Sequence, residues 1–76
     1  MILRCVLDGL LLPAELDCHT PPLVAYDGDE GFRVEAVEAL FYEVVSATYD
    51  EIVRLQGAGY RLLRLADDFR RADAPA

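Results

Sequence analysis

The longest run of regularly spaced apolar residues lies between two glycine clusters, from Phe32 to Gln56. The positions that would face a core recur at steps of three and four, which is the spacing of residues on one face of a helix. These positions are Val34, Val37, Phe41, Val44, Thr48, Ile52 and Leu55. The opposite side of the same helix would carry polar residues, namely Glu35, Glu43, Ser46, Asp50 and Arg54. The pattern therefore predicts one dominant amphipathic helix over residues 33–56, closed by the glycines that follow it.

The same run has a second interpretation. Residues 39–47 include Phe41, Tyr42 and Val44, which are good strand formers. Thr48 and Glu51 have the spacing of a capping box, which marks the start of a helix. A strand would then end near Ala47, and a shorter helix would run from Tyr49 to Gln56. Because such a strand would be buried on both faces, which few domains of 76 residues achieve, the long helix is preferred.

The segments on either side of this run resemble strands. Residues 2–12 predict a β-hairpin that turns at Asp8-Gly9 and stops at Pro13. Leu10–Leu12 is too apolar to be solvated on both faces, so another element or another subunit should cover it. A short strand is possible at 23–26, followed by an acidic turn.

The C-terminal part is expected to contribute one more short strand. Residues 60–65 predict a strand that could pair with the N-terminal one, and a second helix through Leu62, Leu65, Ala66 and Phe69 is the alternative. Residues 70–76 resemble a frayed tail. The predicted fold is therefore a single small α+β domain over residues 1–76.

The composition favours association with another protein. The chain is 54% hydrophobic, which is high for a small domain with much surface. Part of that apolar surface should stay exposed on a monomer, and such patches commonly mark association surfaces. The expected partner is a second copy of the chain or a larger protein. The predicted interface lies on the helix stripe, and its residues are Val34, Val37, Phe41, Tyr42, Val45, Tyr49 and Ile52.

The charge argues against several other partners. Fourteen acidic residues stand against seven basic ones, for a net charge of −7. Nucleic acid and anionic membrane both repel an acidic protein, so neither is expected as a direct partner. All seven basic residues are Arg and Lys is absent, which is consistent with a GC-rich bacterial or phage genome. No secretory or membrane-spanning segment is recognisable, so a cytoplasmic location is expected.

The chemistry-bearing residues do not form a recognisable catalytic or cofactor motif. Cys18 and His19 are candidate metal ligands, but Cys5 is the only other soft ligand and lies far away in sequence. Structural zinc normally needs four ligands in two close pairs, so neither a metal nor a cofactor is predicted. His19 is the only histidine and cannot readily face its neighbour Cys18 as a base. No catalytic residues are assigned.

Three functional hypotheses follow from these observations. The first is a non-enzymatic accessory module that self-associates or docks on a larger protein through the apolar helix face. The second is an acidic inhibitor or nucleic-acid mimic, possible in a bacterial virus, that occupies a basic groove of its partner. The third is a ligand-binding protein or enzyme with a site at a subunit interface, and of these classes an enzyme is the least favoured.

Overall fold

The described residues form a six-stranded mixed sheet and one α-helix, which confirms the α+β class. The computed structural model describes residues 1–61 and 63–74. The strands are β1 (Ile2–Cys5), β2 (Leu11–Leu16), β3 (Leu23–Asp27), β4 (Glu30–Arg33), β5 (Tyr42–Ala47) and β6 (Arg64–Arg71). A 3₁₀ turn (Glu38–Phe41) precedes β5, and the helix α1 (Tyr49–Gly57) joins β5 to β6. The strand order is β4-β3-β2-β1-β5-β6, in which only β5 and β6 are parallel neighbours.

The hydrophobic core lies on one face of this sheet. In β2, for example, Leu12 and Ala14 are buried while Leu11, Pro13 and Glu15 are exposed, as the two-residue period of a strand requires. The core is completed by residues from β1, β3, β5 and α1, from the 3₁₀ turn, and from the residues after β4 and after α1. Its buried members are Leu3, Leu12, Ala14, Leu23, Ala25, Val34, Ala39, Val44, Ala47, Leu55 and Tyr60.

The N-terminal hairpin is confirmed, but β2 continues through Pro13 instead of stopping there. Its first half pairs with β1 and its second half pairs with β3, starting at Ala14. Ala14 N donates to Met1 O at 2.8 Å, so the neighbouring residue Pro13 has its nitrogen on the β3 side. Pairing between β2 and β3 starts only at Ala14. The N–H group that Pro13 lacks is therefore not needed for a hydrogen bond between these two strands. The predicted strand at 23–26 is also confirmed, as β3.

The predicted helix over residues 33–56 is wrong for residues 33–48, because α1 begins only at Tyr49. The alternative strand within 39–47 is confirmed as β5. Leu3 pairs with Val44 while Ile2 pairs with Ser46, so one step along β1 matches two steps along β5. The extra residue makes a β-bulge. Val44 and Ala47 are consequently both buried although they are three positions apart. A bulged strand thus reproduced the spacing of a helix face.

Helix α1 begins where the sequence placed its capping box. Glu51 N donates to Thr48 Oγ1 at 3.1 Å, and Thr48 N donates to Glu51 Oε1 at 2.9 Å. The two interactions satisfy backbone donors that have no partner within the helix. After the helix, Gly59 adopts a positive φ of 90°, which lets Tyr60 N return to Leu55 O at 3.0 Å. Both ends of α1 are therefore fixed by local sequence signals.

Loss of the cap hydroxyl is expected to weaken the fold. Thr48→Ala should lower the free energy of unfolding by about 1 kcal/mol, because Glu51 N loses its acceptor. Chemical denaturation followed by circular dichroism measures this change. Thr48→Ser keeps the hydroxyl and should stay close to the wild type, so equal losses in the two variants would contradict a role for the hydroxyl.

The C-terminal strand is confirmed, with different bounds and a different neighbour. It starts at Arg64, four residues later than predicted, and it pairs with β5 in parallel instead of with β1. Arg70 and Arg71, which the sequence assigned to a frayed tail, pair with Ser46 and Ala47. The strand rules out the alternative helix at this position. Residues 75–76 of the predicted tail and Leu62 of the alternative helix lie outside the described residues.

Candidate functional site

Exposed apolar side chains concentrate where β1 ends and β5 begins. Of eleven large apolar residues exposed in the described chain, six belong to the β1–β2 turn, the start of β2 or the 3₁₀ turn. Backbone hydrogen bonds join these segments, since Val6 N donates to Phe41 O and Cys5 N donates to Leu10 O, both at 2.9 Å. We name this region the apolar corner; its residues are Val6, Leu7, Leu10, Leu11, Leu40 and Phe41.

The turn that presents Leu7 is held by specific interactions. Gly9 has a positive φ of 76°, and its N–H donates to Cys5 O at 2.8 Å. Asp8 Oδ1 accepts a hydrogen bond from Leu10 N at 3.0 Å. Leu7, at the tip, is 74% exposed. Because the turn is hydrogen-bonded at several points, its apolar side chains are displayed on a defined backbone.

The apolar corner has an acidic margin. Asp8 lies in its turn, and Glu38 lies two residues before Leu40. Burial raises the pKa of the neighbouring Tyr42, and the charges of Cys5, Glu38 and Asp8 raise it further. The basic residue paired to Leu11 in the sheet, Arg4, is already bound by Glu43 at 3.0 Å and by Asp68 at 2.8 Å. The rim therefore offers mainly negative charge.

The predicted interface residues are distributed over several elements and do not form one helix stripe. Val34 is fully buried in the core, and Ile52 on α1 is half-buried against it. Val37 and Tyr49 are exposed, but on a loop and on α1 respectively. The remaining three lie directly before or within β5: Phe41 is exposed, and Tyr42 and Val45 are half-buried. Of the predicted set, Phe41 alone belongs to the apolar corner.

Most of the corner lies outside the predicted interface, although the sequence contains a signal for it. The run Leu10–Leu12 is too apolar for a solvated hairpin, and the structure buries Leu12 while leaving Leu10 and Leu11 exposed. Nothing in the described chain covers these two leucines. Within the described chain only Leu12 is covered, and the alternative that another subunit covers Leu10 and Leu11 stays a prediction.

A cleft on another part of the surface has a volume of about 320 Å³. Its described lining includes only two ionisable side chains, Glu35 and Tyr60. The Tyr60 hydroxyl is occupied, because it donates to Val34 O at 2.6 Å. The cleft is otherwise lined by Thr20, Pro21, Pro22, Ala36 and Ala58. This set provides no nucleophile paired with a base, so the cleft indicates no reaction.

The candidate metal ligands Cys18 and His19 are exposed and lie in the loop between β2 and β3. The structure adds Asp17, which is not among the predicted ligands, and the ligand atoms of the three residues lie within 4.8 Å of one another. Arg33 Nη2 lies 2.9 Å from Asp17 Oδ2 and lowers the pKa of Asp17 to about 2. The carboxylate is therefore ionised at neutral pH. Cys5 is half-buried on β1 and is a free thiol like Cys18.

Comparison of the chain with protein-family models, with curated proteins and with solved structures gave no match in any of the three. Among residues 1–61 and 63–74, no helix is both long enough and apolar enough to cross a membrane.

Proposed function

We propose that this protein is a non-enzymatic interaction module that docks on a larger partner protein through the apolar corner. The observation that supports this proposal is the cluster of six exposed apolar side chains on a hydrogen-bonded backbone. Monomeric proteins rarely leave such clusters exposed without a binding role. The corner replaces the helix face as the proposed contact surface, because the residues of that face are now divided between strand, turn and helix.

The charge distribution indicates the chemistry of the partner. Asp8 and Glu38 border the corner, and the whole chain carries a net charge of −7. An apolar recess bordered by Arg or Lys would complement this surface, while a second copy would bring like charges together. A larger protein is therefore favoured over self-association.

We further propose a cytoplasmic location, because Cys5 and Cys18 are both free thiols.

Binding should depend on the corner and not on the exposed side of α1. The purified chain is used as bait, together with Leu7→Glu in the corner and Val53→Glu on α1. Both positions are exposed, so both variants should fold. We expect a protein that the wild type and Val53→Glu retain and that Leu7→Glu loses. With that protein purified, Leu7→Glu should weaken binding by about tenfold or more, measured by calorimetry.

Two results would contradict the proposal. One is a partner that Leu7→Glu and the wild type bind equally, since the corner would then lie outside the interface. The other is a dimer of the wild type, seen by light scattering, that Leu7→Glu dissociates. That result would keep the corner as an interface but make a second copy its occupant.

A further inference from the structure

The loop between β2 and β3 gathers three metal-ligating side chains from consecutive residues. These are the carboxylate of Asp17, the thiol of Cys18 and the imidazole of His19, with ligand atoms within 4.8 Å of one another. Consecutive side chains in an extended strand point to opposite faces, so this convergence requires the bends that the loop makes at 18–21. His19 Nε2 lies 4.0 Å from Asp17 Oδ1.

The loop is braced at its base. Asp17 N donates to Pro22 O at 2.6 Å, which closes the loop between β2 and β3. Arg33, at the end of β4, donates to Pro21 O at 2.8 Å and to Asp17 Oδ2 at 2.9 Å. The guanidinium thus fixes the carboxylate through Oδ2, while Oδ1 faces His19 and accepts a hydrogen bond from His19 N at 3.4 Å. Hydrogen bonds of this kind from outside the ligand set are typical of metal-binding carboxylates.

We propose that Asp17, Cys18 and His19 bind one divalent transition-metal ion of the Zn²⁺ class per chain, with a fourth coordination position open to water. Sulfur and imidazole nitrogen favour Zn²⁺ and its neighbours over Ca²⁺ or Mg²⁺, which prefer oxygen. Ligand atoms about 2.1 Å from a tetrahedral ion lie about 3.4 Å apart. The ligand atoms lie within 4.8 Å of one another, and rotation of the exposed Cys18 and His19 side chains would bring them to that value.

The net charge of the ligand set suits a divalent ion. The Asp17 carboxylate and the Cys18 thiolate formed on binding carry two negative charges between them. The positive charge of Arg33 sits on the far oxygen of Asp17 and should limit the affinity. Three ligands with an open fourth position are the arrangement found in catalytic zinc sites, whereas structural sites have four.

Titration with Co²⁺ tests the proposal, since Co²⁺ replaces Zn²⁺ and gives a thiolate charge-transfer absorption when sulfur binds it. With the full chain kept reduced, we expect this absorption to saturate at one ion per chain and to disappear when Zn²⁺ is added. Cys18→Ser should abolish the absorption, and His19→Gln should weaken Co²⁺ binding by about tenfold or more. Cys5→Ser is the matched control, because Cys5 is the other free thiol, and should keep the wild-type titration.

The circular dichroism spectrum should be unchanged in Cys18→Ser and His19→Gln, because both side chains are exposed. Absence of the charge-transfer absorption in the wild type would overturn the proposal, as would its persistence in Cys18→Ser. Saturation at one ion per two chains would also overturn it, because the site would then be pooled from two copies.

Discussion

Replacing Leu3 by alanine is expected to lower the free energy of unfolding by about 3 kcal/mol. Leu3 lies at the centre of β1, is 0% exposed and pairs with Leu12 on one side and Val44 on the other. The shorter side chain loses the transfer free energy of the removed atoms and leaves a cavity between three strands. A domain of this size has a total stability of about 4 to 11 kcal/mol, so the loss should be easy to detect.

Urea denaturation of the wild type and of Leu3→Ala measures the difference. Leu7→Ala is the matched control, because it removes the same atoms from a side chain that is 74% exposed. Its free energy of unfolding should stay within about 0.5 kcal/mol of the wild type. Equal losses in the two variants would contradict the placement of the core on the inner face of the sheet.

The elements that could be predicted from the sequence are those fixed by near neighbours in the chain. The hairpin between β1 and β2 follows from an apolar run interrupted by Asp8-Gly9. The start of α1 follows from Thr48 and Glu51, which bond to each other three residues apart. Its end follows from a glycine with positive φ. Each of these signals acts within one turn of backbone, where local sequence determines the geometry.

The extent of the helix could not be predicted, because tertiary pairing decides it. The bulge in β5 arises from the register against β1, where Leu3 meets Val44 and Ile2 meets Ser46. That register joins residues about forty positions apart, and no window of the sequence contains both. The objection that a strand here must be buried on both faces does not hold, because only Val44 and Ala47 of β5 are buried and its other residues are half-buried. Its outer side carries Glu43, held by Arg4 at 3.0 Å.

The candidate surfaces show the same division between local and non-local information. Apolar excess in Leu10–Leu12 is visible in the sequence, but the pairing of Leu3 with Leu12 decides which leucine is buried. The neighbours Cys18 and His19 are equally visible. The orientation of the Asp17 carboxylate beside them depends on a hydrogen bond from Arg33, which lies sixteen positions away in sequence. Composition thus indicates that exposed apolar surface exists, while the fold determines its location.

Tyr60 is the residue whose role was least visible in the sequence, where it was placed in a strand. It follows α1 and is 3% exposed, and its hydroxyl donates to Val34 O at 2.6 Å. Burial raises the pKa of this phenol, so it stays protonated and remains a donor at neutral pH. The bond connects the loop after the helix to the residue after β4, 26 positions away in sequence.

Tyr60→Phe is therefore expected to lower the free energy of unfolding by about 2 kcal/mol, because a buried carbonyl loses its donor while the ring stays in place. Tyr49→Phe makes the same chemical change at a side chain that is 62% exposed, and should cost less than about 0.5 kcal/mol. Urea denaturation of both variants, with an unchanged dependence on urea concentration, measures the difference. Equal stability of Tyr60→Phe and Tyr49→Phe would contradict this prediction. It would show that the hydrogen bond from Tyr60 to Val34 does not stabilise the contact between the end of β4 and the loop after α1.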